Sequence, residues 1–145
     1  MERRFEQELE DLRLKVLEMA SYAEQALDKA LRSLLERDTT LAQEVIDHDH
    51  EINQLECDID DASLKILALE QPVAVDLRLI VGSMRIIVNL ERVGDEAVNI
   101  AERTLLLAHR PALPFNHLLE EMAGICREML KSAIKSFKDD DTELA

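Results

Sequence analysis

The feature that most constrains the fold of this 145-residue chain is a recurrence of apolar residues at alternating steps of three and four. The recurrence runs through three long segments, and Gly and Pro number only three each in the whole chain. Such spacing puts the apolar residues on one face of a helix, whereas a strand would need alternation at every second residue. The pattern therefore predicts an all-α protein. The three stripes are Phe5, Leu9, Leu12, Val16, Met19, Ala23, Ala26 and Ala30; Leu41, Val45, His48, Ile52, Leu55, Ile59, Ala62, Ile66 and Leu69; and Leu77, Ile80, Met84, Ile87, Glu91, Gly94, Val98, Ala101 and Leu105.

Short breaks separate the predicted helices where helix-ending residues occur. Asp38 and the two threonines after it offer N-cap side chains for the second helix. Pro72 falls at an early position of the third helix, where its missing N–H is tolerated, and Pro111 and Pro114 end that helix. Each helix of about 30 residues spans about 45 Å, and connections this short make neighbouring helices antiparallel.

The predicted architecture is an up-down-up three-helix bundle over residues 1–110, followed by a fourth helix within residues 111–145. The third helix carries apolar residues around most of its circumference, so it needs more than two neighbours. The fourth helix, over roughly residues 115–138, is expected to cover it.

An internal repeat relates the fourth helix to the first. Shifting the chain by 103 residues aligns residues 17–42 with residues 120–145, and ten of the 26 aligned positions are identical. The identities include the Asp-Thr-x-Leu-Ala sequence of the break, which similarity between acidic helices does not explain. The chain therefore reads as one whole repeat followed by the first helix of a second, incomplete repeat. An exposed apolar face on the fourth helix then predicts completion by a partner or a homo-oligomer.

The formal net charge of −14, from 17 basic and 31 acidic residues, restricts the classes of partner. Phosphate groups repel an acidic surface, so nucleic acid is not expected to bind and direct contact with an anionic membrane is disfavoured. No secretory signal follows Met1, and no apolar run approaches the roughly 20 residues of a membrane span. Cys57 and Cys126 match no zinc or redox spacing and are expected to be small buried residues in a reducing cytoplasm. These features predict a cytoplasmic protein that reaches a membrane only through its partners.

Glu91 is the strongest indicator of a functional site, because it lies on the apolar stripe of the most hydrophobic helix. An ionised carboxylate there costs several kcal/mol unless it is paired or binds a metal. Asp95 follows one turn later, and Glu24 and Asp28 form a matching pair on the first helix, parallel to the third. Four carboxylates converging at one height favour iron, manganese, magnesium or calcium. The alternatives are that Glu91 pairs with an arginine or points to solvent.

A second polar cluster, Asp47–Glu51, lies near the start of the second helix. His48 falls on the apolar stripe and offers a histidine ligand near Glu91, although a solvated helix face with one stripe histidine is the favoured interpretation. The Glu-x-x-His pairs of di-iron bundles are absent, which disfavours a redox enzyme. No nucleophile with an organising base and no glycine-rich phosphate loop occurs, so the sequence predicts a protein that is not an enzyme. Gly94 is expected to permit close approach of helices.

Several motifs together resemble the PhoU family of bacterial phosphate-transport regulators. The specific part is Gln71–Arg78 (QPVAVDLR), followed by Leu90–Asp95 (LERVGD) and Asn99–Glu102 (NIAE). Residues Asp38–Ile46 and Asp49–Leu55 fit the family's second helix, so the similarity runs over essentially the whole chain.

The resemblance implies two three-helix bundles related by an internal repeat, which agrees with the repeat found above. It also implies multinuclear clusters of iron or zinc, held by paired Glu/Asp-x-x-x-Asp motifs. On this chain the motifs match Glu24 with Asp28 and Glu91 with Asp95, and Asn99 lies nearby. The 103-residue shift puts Arg127 and Lys131 at the positions of Glu24 and Asp28, so a second cluster of this design is not expected. The residues that the resemblance implies for the metal site are Glu24, Asp28, Glu91, Asp95 and Asn99.

The family's implied role is regulatory. Such proteins restrain phosphate uptake and repress the phosphate-starvation response by connecting the phosphate ABC transporter, through its ATPase, to a membrane sensor kinase. Two other functions stay open on the residues alone: a carboxylate-bridged metal protein with redox or storage activity, and a metal-free helical scaffold. In the scaffold, replacing Glu91 with leucine would be neutral or stabilising.

Overall fold

The structure of the chain is a computed structural model that describes residues 2–145. These residues form four α-helices and no strand, which confirms the all-α prediction. The first three helices pack against one another as a bundle, and the fourth packs on the outside. The helices are α1 (Glu2–Glu36), α2 (Thr39–Glu70), α3 (Ala74–Leu107) and α4 (His117–Asp139).

The turn between α1 and α2 follows the sequence prediction, and the turn between α2 and α3 departs from it. Asp38 is the N-cap of α2, and its carboxylate accepts a hydrogen bond of 3.0 Å from the backbone N–H of Leu41. Pro72, however, precedes α3 and does not lie within its first turn. The reason is that Gln71 ends α2 in the left-handed conformation and Val73 is extended, so the turn itself occupies these residues.

The core is formed by the predicted stripes of the first three helices. Its largest fully buried apolar side chains are Leu12 and Met19 of α1, Ile59 of α2, and Ile80 and Ile87 of α3. Burying each of them stabilises the fold by about 1.5–3 kcal/mol relative to exposure. Steps of seven residues, two helical turns, relate the pairs on α1 and α3, which is the spacing of a packed seam.

The position of α4 differs from the prediction. Within residues 2–145 it contacts α1 and neither α2 nor α3, so the expectation that it covers the third helix is wrong. Two features hold it on α1: Ile134 and Phe137 pack against the core, and charges match across the interface. Arg13 lies over the Phe137 ring, 5.9 Å from its centroid, and 3.6 Å from Asp140.

The internal repeat extends to the end of the helix and the cap that follows it. Both α1 and α4 are followed by a residue in the left-handed conformation, Arg37 with φ 55° and Asp140 with φ 53°, 103 positions apart. An aspartate follows each and caps the next turn. The same bonds recur in both copies: Asp38 N to Ser33 O and Asp141 N to Ser136 O, each 2.9 Å, and Ser33 Oγ to Ala30 O and Ser136 Oγ to Ala133 O, each 2.7 Å.

The exposed residues bear on two predictions, the burial of the cysteines and an interaction face on α4. Cys57 and Cys126 are free and exposed, so the expectation that they are buried is wrong. Both fall beside the apolar stripes of their helices and face outward. Large apolar side chains of α4 are exposed on the side away from α1, as the predicted interaction face requires: Leu118, Met122, Ile125 and Met129. Among residues 2–145, every helix lacks the continuous apolar length that crossing a bilayer requires.

Candidate functional site

Gly94 of α3 lies where α2 packs closely against α3 beside the candidate site. A Cβ atom at this position would lie 3.1 Å from Ile52 Cδ1 and 3.3 Å from Asp49 Oδ1. A methyl group here would force these side chains to shift by a few tenths of an ångström, so glycine permits the close approach, as the sequence predicted. The approach places Asp49 of α2 against the segment of α3 that carries Glu91 and Asp95.

Glu91 occupies an environment that disfavours its ionised form. A hydrogen bond that protonated Glu91 donates to Asp95, burial, and the negative charges of Asp95, Glu56 and Asp49 together raise its pKa from 4.5 to about 7. The pKa of Asp49 is also raised, first by burial and then by the charge of Asp95. A hydrogen bond from Asn53 and the charge of His50 oppose that shift. We name Asp49, Glu56, Glu91 and Asp95 the carboxylate cluster.

Two members of the carboxylate cluster, Asp49 and Glu56, were missed in the sequence. Both come from α2 and lie seven residues apart, so they share one helix face. The signal was present, since Asp49, Ile52, Glu56 and Ile59 follow steps of three and four and the two isoleucines are buried. Asn99, which the resemblance places near the metal, is exposed and donates a hydrogen bond to Glu96 of its own helix, at 3.3 Å.

The histidines near the start of α2 lie exposed beside the cluster. His48 and His50 are both exposed, as expected of a solvated helix face, but the placement of His48 on the apolar stripe is wrong, and Asp49 between them is partly buried. Each ring nitrogen Nδ1 lies 2.8 Å from a carbonyl oxygen of the preceding turn, of Glu44 and Asp47 respectively. Asp49 takes the inward position because the helix crossing at Gly94 faces it.

Glu24 and Asp28 lie in a different environment, on the side of α1 that faces α4. Asp28 Oδ1 is 3.1 Å from Arg127 Nε, and Glu24 lines the same recess with Arg127 and Lys131. The two predicted carboxylate pairs are therefore not brought together. Among residues 2–145, no three side chains of His, Cys, Asp or Glu are gathered closely enough to hold a metal ion jointly.

The donor chemistry of the carboxylate cluster nevertheless suits a hard cation. Glu91 and Asp95 are close enough to share a proton, and Asp49 faces them across the helix contact. A cation in place of the shared proton would remove the repulsion that raises the pKa of Glu91. Carboxylate oxygens are the ligands that iron, manganese and magnesium accept. The cluster thus fits a metal by donor type, with Glu91 and Asp95 as the pair already in contact.

Comparison with known proteins gives the family. The model of the PhoU domain matches residues 16–104, which include α2, most of α3 and the carboxylate cluster. A "Phosphate-specific transport system accessory protein PhoU homolog" from Aquifex aeolicus is 44% identical over 138 residues, covering 95% of this chain and 62% of the relative. A homologue of the same description from Pseudomonas aeruginosa is 36% identical over 142 residues, covering 97% of this chain and 59% of the relative.

Solved structures agree with this result. The crystal structure of PhoU from Pseudomonas aeruginosa superposes with a TM-score of 0.93 at 35% identity, over 97% of this chain and 68% of that one. PhoU from Streptococcus pneumoniae superposes with a TM-score of 0.88 at 28% identity, over 97% and 66%. The chain spans 62% and 59% of the length of the two relatives named above. The sequence resemblance is confirmed, and the chain belongs to the PhoU domain family.

Proposed function

We propose that this chain acts as a regulatory accessory component of phosphate transport and has no catalytic activity of its own. The observation that carries the proposal is the PhoU domain match over residues 16–104, joined to the same fold over 97% of the chain. Relatives named as accessory proteins of the phosphate-specific transport system support it.

The proposed partners are the ATPase of the phosphate ABC transporter and a phosphate-responsive sensor kinase, both reached from the cytoplasm. The chain would restrain uptake and starvation signalling by holding these partners in a complex. Its net charge of −14 favours docking on basic surfaces, with charge steering the encounter. Partner affinity should therefore fall as salt concentration rises, because the Debye length shrinks from about 10 Å at 0.1 M to about 3 Å at 1 M.

We further propose that the carboxylate cluster binds a metal, with Glu91 and Asp95 of α3 as its ligands and Asp49 of α2 adding negative charge close by. Iron and zinc are the metals that the family resemblance implies, and manganese and magnesium suit the same oxygen donors. A bound cation would supply positive charge between the helices. With that charge in place, the carboxylates of α2 and α3 would no longer repel one another, and the two helices would stay in contact at Gly94.

The regulatory role is tested by expressing the chain in a bacterial host that lacks its own PhoU protein and carries a phosphate-starvation reporter. Restored repression at high phosphate is the expected result. Purified transporter ATPase and the cytoplasmic part of the kinase would be assayed for binding at low and high salt. Absence of both repression and binding would refute the regulatory proposal.

The metal proposal is tested separately, by elemental analysis of untagged protein purified without chelator. The variant Glu91→Gln/Asp95→Asn is expected to lose bound metal that the wild type holds in stoichiometric amount. The matched control, Glu10→Gln/Glu18→Gln, changes two exposed acids of α1 and should keep it. Wild-type protein without metal, or equal metal in both variants, would refute the metal site and leave the regulatory role standing on its own test.

A further inference from the structure

The interface between α1 and α4 is antiparallel and has matching contacts at both ends. At one end Arg13 of α1 lies over Phe137 of α4. The 103-residue shift makes Asn116 the equivalent of Arg13, and Leu34 the equivalent of Phe137. Asn116 and Leu34 line one recess at the opposite end of the interface. The first helix of each repeat therefore meets the other around an approximate two-fold axis.

The middle of this interface is built from equivalent residues of the two repeats. Glu24, Leu27 and Asp28 of α1 line a recess between the helices, and the 103-residue shift maps them onto residues of α4 that line the same recess. The leucine is kept in both copies, whereas both acidic residues are replaced by basic ones. The equivalent pairs are Glu24 with Arg127, Leu27 with Leu130, and Asp28 with Lys131.

The reversal of charge decides whether the two helices attract or repel. Had both copies kept acidic residues, four carboxylates would face one another across the axis, and like charges directly opposed are destabilising. With Arg127 and Lys131 in place, Asp28 Oδ1 lies 3.1 Å from Arg127 Nε. That Nε is buried and makes no hydrogen bond, so the ion pair with Asp28 is its only compensation among residues 2–145.

We infer that Glu24 and Asp28 are the docking surface for the basic face of α4, and that they are not metal ligands. Arg127 pairs with Asp28 and Lys131 lines the same recess, so positive side chains already stand where a cation would bind. The surface is selective, since a second copy's α1 presented at the same place would bring acids against acids. A helix with basic residues four positions apart around a leucine is the partner that fits.

Charge exchange tests the inference. Arg127→Glu/Lys131→Asp restores the acidic residues of the first repeat, and hydrogen exchange of the α4 amides, residues 117–139, reports whether the helix stays docked. An undocked α4 unravels, because an isolated helix of this length is marginal in water. Protection of α4 is expected to fall about tenfold, with the buried amides of α2 and α3 unchanged. The milder Arg127→Gln/Lys131→Gln gives a smaller loss in the same direction.

A charge swap supplies the decisive comparison. Adding Glu24→Arg/Asp28→Lys to Arg127→Glu/Lys131→Asp should return α4 protection to within about twofold of wild type. Lys135→Glu, an exposed change on the same helix, is the control and should leave protection unaltered. An unchanged α4 in the double reversal, or no recovery in the swap, would overturn the inference.

Metal content separates this inference from the proposed metal site. Glu24→Gln/Asp28→Asn should weaken α4 protection while leaving bound metal at the wild-type amount. Loss of metal equal to that of Glu91→Gln/Asp95→Asn would overturn the inference. If wild-type protein holds no metal, the hydrogen-exchange measurements of α4 alone decide whether the inference stands.

Discussion

Replacing Glu91 with glutamine removes one carboxylate from the cluster while keeping the length and shape of the side chain. In the folded protein, Glu91 holds its proton more tightly than in the unfolded chain, because Asp95 accepts a hydrogen bond from the protonated form and neighbouring charges oppose ionisation. Glutamine preserves the donor toward Asp95 and cannot ionise. We expect Glu91→Gln to stabilise the metal-free protein at pH 8 and to have little effect at pH 4.

The magnitude follows from the pKa. A rise from 4.5 to about 7 corresponds to at most about 3.4 kcal/mol, at 1.36 kcal/mol for each pH unit. Glu91 is partly exposed and shares its proton with Asp95, so solvent screening reduces the expected effect to about 1–2 kcal/mol. The folded pKa is the higher one, so this stability is fully present below pH 4.5 and is lost as the pH rises through 7.

Urea unfolding of wild type and variant, in chelator at pH values from 4 to 8, measures the effect. The difference between the two free energies of unfolding should grow by about 1–2 kcal/mol between pH 4.5 and pH 8, in favour of the variant. Glu10→Gln, an exposed change on α1, should show no such growth. Parallel pH profiles for wild type and Glu91→Gln would refute the reasoning, and so would a variant that is less stable at pH 8.

Three further changes test the fold and the exposed face of α4. Gly94→Ala should lower the free energy of unfolding by about 1 kcal/mol in urea melts, because crowding against Ile52 outweighs the gain in helix propensity, and Ile52→Val in the same chain should restore part of it. Asp38→Ala should cost about 1 kcal/mol in the same assay by removing the cap of α2, whereas an unchanged stability would show that the cap contributes little. Ile125→Glu/Met129→Glu should convert a homo-oligomer to monomer in sedimentation velocity, and a wild type that is already monomeric at high concentration would contradict self-association through α4.

The sequence predicted the helices because each local signal agreed with the others. The largest fully buried apolar residues all lie on the predicted stripes, and the Asp38 cap lies where the stripe is interrupted. On α2, however, the sequence prediction placed His48 at the inward-facing position, whereas the structure has Asp49 there. Both His48 and Asp49 continue the stripe between Val45 and Ile52 with steps of three and four, so periodicity alone does not choose between them. The close approach at Gly94 makes the choice, and that is a property of two helices together.

The location of α4 was missed for a related reason. Hydrophobicity indicated that α3 needed cover, yet Val88 on its outer side remains 49% exposed. The apolar stripes say how much surface a helix must bury, and they do not say which neighbour will bury it. Charge supplied that information here, since Arg13 and Asp28 of α1 each face an oppositely charged residue of α4 or just beyond it.

The two Glu-x-x-x-Asp pairs show why spacing does not assign chemistry. Glu91 with Asp95 and Glu24 with Asp28 have the same spacing on helices of the same bundle. In the first pair, the hydrogen bond from protonated Glu91 to Asp95, burial, and the charges of Asp95 and the α2 carboxylates raise the pKa of Glu91, and a cation is the partner that would offset those charges. In the second pair, Asp28 forms an ion pair with Arg127, and Lys131 lines the same recess. We therefore expect a metal where the motif faces another acid, whereas a motif that faces a base closes a helix contact and already has positive charge beside it.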